Sequence, residues 1–421
     1  MQQPIVFSCL KAYDLATFRA DLIAGITVAM VALPLSLAIA IASGADPSTG
    51  LVTAIIAGFL ISALGGSRVQ IGGPTGAFIV VVFSVIAEHG YDGLVLSSLM
   101  AGILLLIAGY LRAGRLIAFV PEAVVNGFTI GIAVIIASSQ LKDFFGLNVQ
   151  ALPAEFVAKI TALWQASDGL SPSALGVALA TMVMIVVFRR LAPRLPGLIV
   201  AVAIGSAAVA LFDLDVDTIH SRFGALPAQL PSPSLPDISW SRLMELVPSA
   251  LVIAFLAGVE SLLSAMVADR MISDHHRPDA ELTAQGAANI ASALFGGLPA
   301  TGAIARTATN IRAGGRTPVS GMVHALVLLA AMMIAAPLFG YLAMPALAAL
   351  LILTAWNMSE PHKWAEYSRT PKSDRMLLVL TLLLTVFVDL TVAVGAGVSI
   401  GLALRLSRKA QTDSDWTPPE R

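Results

Sequence analysis

The chain has 421 residues, of which 57% are hydrophobic and only 12% charged, and its formal net charge is −1. Soluble domains carry about 25% charged residues, so half that share excludes an ordinary soluble fold. A single cysteine, Cys9, excludes an intrachain disulfide and a cysteine metal cluster, while the net charge by itself says nothing about partners.

Apolar runs of about 20 residues recur from end to end, each long enough to cross about 30 Å of hydrocarbon. The alternation in segments of about ten residues that marks a β-barrel is absent. The sequence therefore reads as an all-α membrane protein. In chain order the spans are 21–43, 47–64, 74–88, 93–111, 121–141, 172–190 and 196–212, then 246–269, 281–296, 302–313, 317–338, 341–357, 374–389 and 391–408. The N-terminus has no basic n-region or small-residue cleavage site, so the first helix serves as the insertion signal. "PAEFVAKITALWQA", 153–166, sets Phe156, Ile160, Leu163 and Trp164 on one helical face; too short to span, it is expected at the interface. The proline-rich 213–240 reads as an extramembrane connection between two sets of seven spans, 1–212 and 241–408, and 409–421 as a polar tail. With the N-terminus in the cytoplasm, Arg68, Arg112, Arg115, Arg189, Arg190, Arg194, Arg270, Arg277, Arg312, Arg316, Lys363, Arg369, Lys372, Arg375, Arg405 and Lys409 fall inside. Few basic residues disagree, Lys142 and Arg222 among them. The expected location is the inner (plasma) membrane, multi-pass, with both termini cytoplasmic.

The two sets resemble each other. "VQIGGPTGAFIV", 69–80, and "FGGLPATGAIAR", 295–306, share paired glycines, a proline and a Thr-Gly-Ala turn at an offset of 226 that also sets Pro34 on Glu260. "GYL" at 109–111 recurs at 340–342. Seven is odd, so the halves must run oppositely through the membrane, the inverted repeat of secondary transporters.

Helical residues 75–87 and 302–313 span only about 18–20 Å each. The preceding segments, near 69–73 and 297–301, complete the crossing if extended. Extended backbone at that depth cannot face lipid, so the two are expected to pair as short strands. Each half-helix then begins near the midplane with a free N-terminus, which offers unpaired N–H groups and about half a positive charge to an anion. Thr75, Gly76 and Ala77, facing Gly302, Ala303 and Ile304, are the candidate anion ligands. Arg306, one turn into the second half-helix, adds a full charge; an arginine at that depth costs roughly 2.5–3.5 kcal/mol on insertion scales, a cost an anion would offset.

These stretches, with "DLIAGITVAMVALPLSLAIAIASG" at 21–44 and "GLPATGAIARTATNIRAGGRTPVSG" at 297–321, resemble the SulP family of sulfate-permease and prestin-like anion transporters. The resemblance runs from residue 14 to about 408. It implies fourteen spans in a 7+7 inverted repeat, a core of spans 1–4 and 8–11, a gate of spans 5–7 and 12–14, elevator-like movement of core against gate, and a homodimer. It also implies an anion held near Thr75, Gly76 and Ala77 and near Ala303, Ile304 and Arg306. Many members carry a C-terminal STAS domain; this chain ends after the last span, so a membrane domain without one is expected. Many members have glutamine after the first-helix proline; here Leu35 follows Pro34, which favours a substrate other than sulfate.

Glu260 reads as the one acid deep in an apolar span. It is the candidate coupling-ion site, as proton carrier or, with Ser264 one turn away, as sodium ligand; the structural alternative is a pair with Arg306 or with a hydroxyl. For the glycine turns the alternative is close helix packing. His275 and His276 read as solvated loop residues, Glu122 and Asn126 as the inner end of span 5, and Asp389 as an outer turn. No phosphate-binding loop, nucleophile constellation, cofactor motif or metal cluster is seen, and no enzyme activity or nucleic-acid partner is expected. The expected function is proton-coupled symport of a small anion, a dicarboxylate such as fumarate, sulfate or bicarbonate, across the lipid bilayer. The rivals are a sodium-coupled bicarbonate transporter, a passive anion channel or exchanger, a nucleobase-type carrier, and a scaffold without transport. A near-neutral base has no use for Arg306.

Overall fold

The computed structural model describes residues 3–115, 122–149, 152–192, 196–388 and 392–403, the last without 394, 398 and 402. Asp389, Arg194, Arg405, Lys409 and the tail lie outside the described residues, as does the end of the last expected span, whose described part is helical.

The helices start where capping residues meet apolar runs. Helix α1, Leu15–Ala42, is capped by Asp14, whose carboxylate accepts from the Thr17 N–H at 2.8 Å. Helix α2, Pro47–Leu64, follows Asp46 with proline at its first position. Strand β1 is Gly72–Gly73. A 3-10 turn, Gly76–Phe78, leads into α3, Ile79–Tyr110. The expected third and fourth spans are joined in α3, but Gly90 breaks it with φ 71° and ψ 178°, so two helical pieces meet at a sharp turn. Then come α4, Glu122–Phe145; α5, Phe156–Gln165; α6, Pro172–Leu191; and α7, Gly197–Leu211.

The connection at 213–240 carries one short helix, Ile219–Phe223, and is tied to the other half by a bridge between Thr218 and Ala343. The second half comprises α8, Trp240–Ile272; α9, Pro278–Leu294; β2, Thr301–Gly302; α10, Ile304–Arg312; α11, Val319–Phe339; α12, Met344–Met358; and α13, Lys372–Phe387. Seven helices among the described residues are long and apolar enough to cross a membrane.

Packing divides these elements into two bodies that each mix the halves. Helices α1, α2 and α3 pack on α8, α9 and α11, with α10 against α1 and α8. Helix α4 packs on α12 and α13, and α6 on α7 and α12. This is the core-and-gate division expected of an inverted repeat. The bodies meet where α12 and α7 touch α1 and where α4 touches the Gly76–Phe78 turn.

Helix α5 departs from expectation. Its buried residues are Lys159 and Leu163, whereas Trp164 is 79% exposed and Ile160 also points outward. Phe156 is held edge-on against Phe387 of α13, which anchors α5 to the gate.

Candidate anion site

The site rests on the strand pair. Gly72 pairs with Gly302 and Gly73 with Thr301, antiparallel, as expected for extended segments that cannot face lipid. The backbone around the strands is satisfied from inside the core. The Ala303 N–H donates to Ile71 O at 2.8 Å, and the Ile71 N–H donates to the Thr307 hydroxyl at 3.0 Å. Asn310 donates to Val69 O, and Asn289 both accepts from the Ala300 N–H and donates to Ala300 O. Thr53 accepts from the Leu298 N–H. These polar residues, on helices that otherwise read as apolar, substitute for a wider sheet.

A second layer lies behind β2. The Glu281 carboxylate, wholly buried, accepts from the Gly66 N–H, the Gln70 amide, the Ser261 hydroxyl and the Gln285 amide at 2.8–3.0 Å. Four donors to one carboxylate compensate its burial without a cation. A Cβ at Gly302 would come 2.1 Å from the Gln70 amide nitrogen, so glycine is required where the strand meets this cluster. Glu281 corrects the reading of Glu260 as the only deep acid. Asp21 is buried too, where its carboxylate accepts from the N–H groups of Arg316 and Thr317.

From this platform the two half-helices start. Thr75 precedes the Gly76–Phe78 turn and Ala303 precedes α10; both are extended, and neither side chain caps its own helix. The leading N–H groups thus have no side-chain acceptor. The repeat lies two residues off the 226 offset, since Thr301 sits in a strand whereas its sequence counterpart Thr75 directly precedes the Gly76–Phe78 turn, as Ala303 precedes α10. Gly76, Ala77, Gly302 and Ala303 are buried, and Ile304 is 44% exposed. The antiparallel register sets Ala303 beside Ile71, four residues before Thr75, and the Arg306 side chain reaches across to the Pro74 carbonyl just ahead of Thr75.

Arg306 is 1% exposed. Its Nη2 donates to Pro74 O at 2.9 Å and lies 3.4 Å from the Ser36 hydroxyl. Its Nε and Nη1 have no protein acceptor. Gly73, at φ 148°, leaves room for the guanidinium, since a Cβ there would sit 2.6 Å from Nη1. No described carboxylate lies within 4 Å of Arg306, so the alternative of a bridge to Glu260 is not formed. Glu260 instead accepts from the Thr75 hydroxyl at 3.3 Å. Ser264, its expected companion, lies 3.3 Å from the Thr307 hydroxyl.

Glu260 also faces a cleft between the two bodies, lined by Val125, Phe128 and Thr129 of α4 and by Phe255 and Val259 of α8. Met358 of α12 and Ile136 of α4 cover Gly76: a Cβ there would lie 2.9 Å from the Met358 sulfur and 3.4 Å from Ile136. Gate side chains thus touch the start of the first half-helix. Glu122 is exposed, Asn126 lies one turn further along α4, and His276 is held by Asp269 at 2.7 Å in its loop.

Comparison with known proteins finds matches over most of the chain. The family model described as the sulfate permease family matches residues 18–381. YvdB of Bacillus subtilis is 42% identical over 376 residues, covering 89% of this chain and 71% of YvdB. The transmembrane domain of a cyanobacterium bicarbonate transporter, BicA, superposes with a TM-score of 0.81 at 32% identity, covering 90% of this chain and 98% of that one. The murine Solute Carrier 26 family member A9 anion transporter, in the inward-facing state, shares the fold with a TM-score of 0.86 at 18% identity, over 96% of this chain and 71% of that one.

Proposed function

The chain belongs to the sulfate permease family of anion transporters, and on that premise we propose that it couples uptake of a small anion to protons. The anion is a dicarboxylate such as fumarate, sulfate or bicarbonate. It is held between the Thr75–Ala77 and Gly302–Ile304 segments, with Arg306 as the fixed positive charge. The observation that carries this reading is the Arg306 guanidinium: buried, with Nε and Nη1 lacking a protein acceptor and, among the described residues, no carboxylate within 4 Å, on a half-helix whose N-terminus has no side-chain cap.

Coupling runs through Thr75. An ionised Glu260 holds the Thr75 hydroxyl as a donor. A protonated Glu260 no longer needs that donor, and the hydroxyl becomes available to the anion. Proton and anion then favour each other's binding, which symport requires. The core carries both past the gate, whose Met358 and Ile136 rest on Gly76. The bias of lysine and arginine supports cytoplasmic termini in the inner (plasma) membrane, and the family resemblance supports a homodimer.

The test is uptake into proteoliposomes of labelled fumarate, sulfate and bicarbonate under imposed proton or sodium gradients. Accumulation driven by outside acid supports the reading. A sodium requirement without response to acid would transfer the coupling role to sodium, and gradient-independent equilibration would make the protein a channel or exchanger.

A further inference from the structure

Helix α5 is amphipathic, yet the side chain it buries beside Leu163 is a lysine. Lys159 is 4% exposed, and its ammonium lies 5.8 Å from the centre of the Phe83 ring. Among the described residues no carboxylate comes within 4 Å of it. Burial pushes its pKa below the ordinary lysine value. A long basic side chain in an interfacial helix has an inexpensive alternative, to turn its charge outward to water. Lys159 does the opposite.

The contact crosses the boundary between the two bodies. Helix α5 belongs to the gate through Phe156 and Phe387. Phe83 belongs to the core, on α3 seven residues beyond Gly76, about 10 Å along the helix axis from the candidate anion ligands. It also closes on Gly44, at the turn between α1 and α2, where a Cβ would lie 3.3 Å from its ring. The ring thus sits at the rim of the core, and the ammonium rests over it from the gate side.

We propose that Lys159 is an entry residue for the transported anion, standing at the mouth of the path on the membrane face that carries α5. This rests on the anion-transport reading above. An ammonium over an aromatic face has, among the described residues, no fixed carboxylate beside it, so an arriving anion meets no competing negative charge there. Movement of core against gate separates Lys159 from Phe83 and presents the charge to the path. Two helix ends and Arg306 then draw the anion inward. Lys159 acts on arrival, not on the bound state, so its loss appears in KM and in the dependence on ionic strength.

The experiment compares wild type with Lys159→Met, and with Lys159→Cys made in a Cys9→Ser background so that the new thiol is unique. The probe is whichever of labelled sulfate, bicarbonate or fumarate the wild type takes up. Lys159→Met raises KM about ten-fold and flattens the ionic-strength dependence, with maximal rate unchanged. Lys159→Cys behaves alike. Treatment with 2-aminoethyl methanethiosulfonate, which restores an ammonium, restores KM, while methyl methanethiosulfonate, which adds a neutral group, does not. An unchanged KM in Lys159→Met, or equal rescue by both reagents, overturns the assignment and leaves the transport reading standing. A wild type that takes up none of the three anions overturns both.

Discussion

Replacing Arg306 by methionine separates a ligand-binding arginine from a structural one. The change keeps an unbranched side chain of similar reach and removes the charge. An anion about 5 Å from the guanidinium, at an effective dielectric constant near 20, gains about 3 kcal/mol, so its loss weakens binding roughly 100-fold or more. The stability change is small by comparison. The bond from Nη2 to Pro74 O is lost, at about 1.5–3 kcal/mol for a charged donor. Against this, a cation with no carboxylate partner is no longer held in the membrane, worth roughly 2.5–3.5 kcal/mol. The two nearly cancel. Titrating sulfate, bicarbonate and fumarate against the melting temperature of purified protein reads both quantities at once. Arg306→Met is expected to melt within a few degrees of wild type without anion and to lose the anion-dependent rise. Unchanged anion affinity together with a large fall in melting temperature would refute the reasoning and make Arg306 a strut for Pro74.

Glu260→Gln, a fixed neutral carboxyl mimic, is expected to abolish accumulation driven by an acid exterior while retaining counterflow exchange; both are measured in the same liposomes, and persistent accumulation removes Glu260 as proton carrier. Gly302→Ala drives a methyl into the Gln70 amide and strips a donor from Glu281, so it should cost about 1–3 kcal/mol in a thermal melt. Gly76→Ala meets only the flexible end of Met358 at 2.9 Å, so it should melt near wild type and slow transport instead; equal melting of the two variants would contradict the packing described. Asn289→Leu leaves both the N–H and the C=O of Ala300 unpaired, so about 2–5 kcal/mol of stability should be lost, with Asn289→Asp, which keeps only the acceptor, in between.

Much of the fold could be read along the chain because its signals are local. Hydrophobic length marks the spans, and Gly72, Gly73, Pro74 and Pro299 mark the places where helix gives way to strand. The need to hide extended backbone led directly to the pairing of β1 with β2. The two-residue error in the repeat has a physical cause: matching letters aligned Thr75 with Thr301, but the two threonines do different work, one leading a helix and holding Glu260, the other donating from a strand to Ala257 O. The polar residues that satisfy the strands were not legible. Thr53, Asn289, Thr307 and Asn310 look like tolerated polar residues in helices until the backbone they serve is in place. Glu281 was passed over because it opens a helix, where an acid is ordinary. The burial of Lys159 was not legible either, because amphipathic periodicity ranks residues by hydropathy alone.

The strand pair also sets the order in which this protein can be built. Every partner that Val69, Gln70 and Ile71 find for their polar groups on the other half comes from residues made much later: 236 residues separate Ile71 from Thr307 and 241 separate Val69 from Asn310. At 5–20 residues per second, ribosomes need tens of seconds to cover that distance. Through that interval the first half holds a stretch of open backbone that lipid cannot solvate. The nascent chain must therefore keep residues 69–73 in contact with water or with the insertion machinery, and β1 docks only after α10 has emerged. Ribosome-stalled chains truncated before residue 297 should accordingly leave a cysteine placed at Ile71 open to a water-soluble thiol reagent, and longer chains should protect it. The candidate anion site is completed only once the second half reaches α10, so a half-made carrier has no functioning path through which to leak.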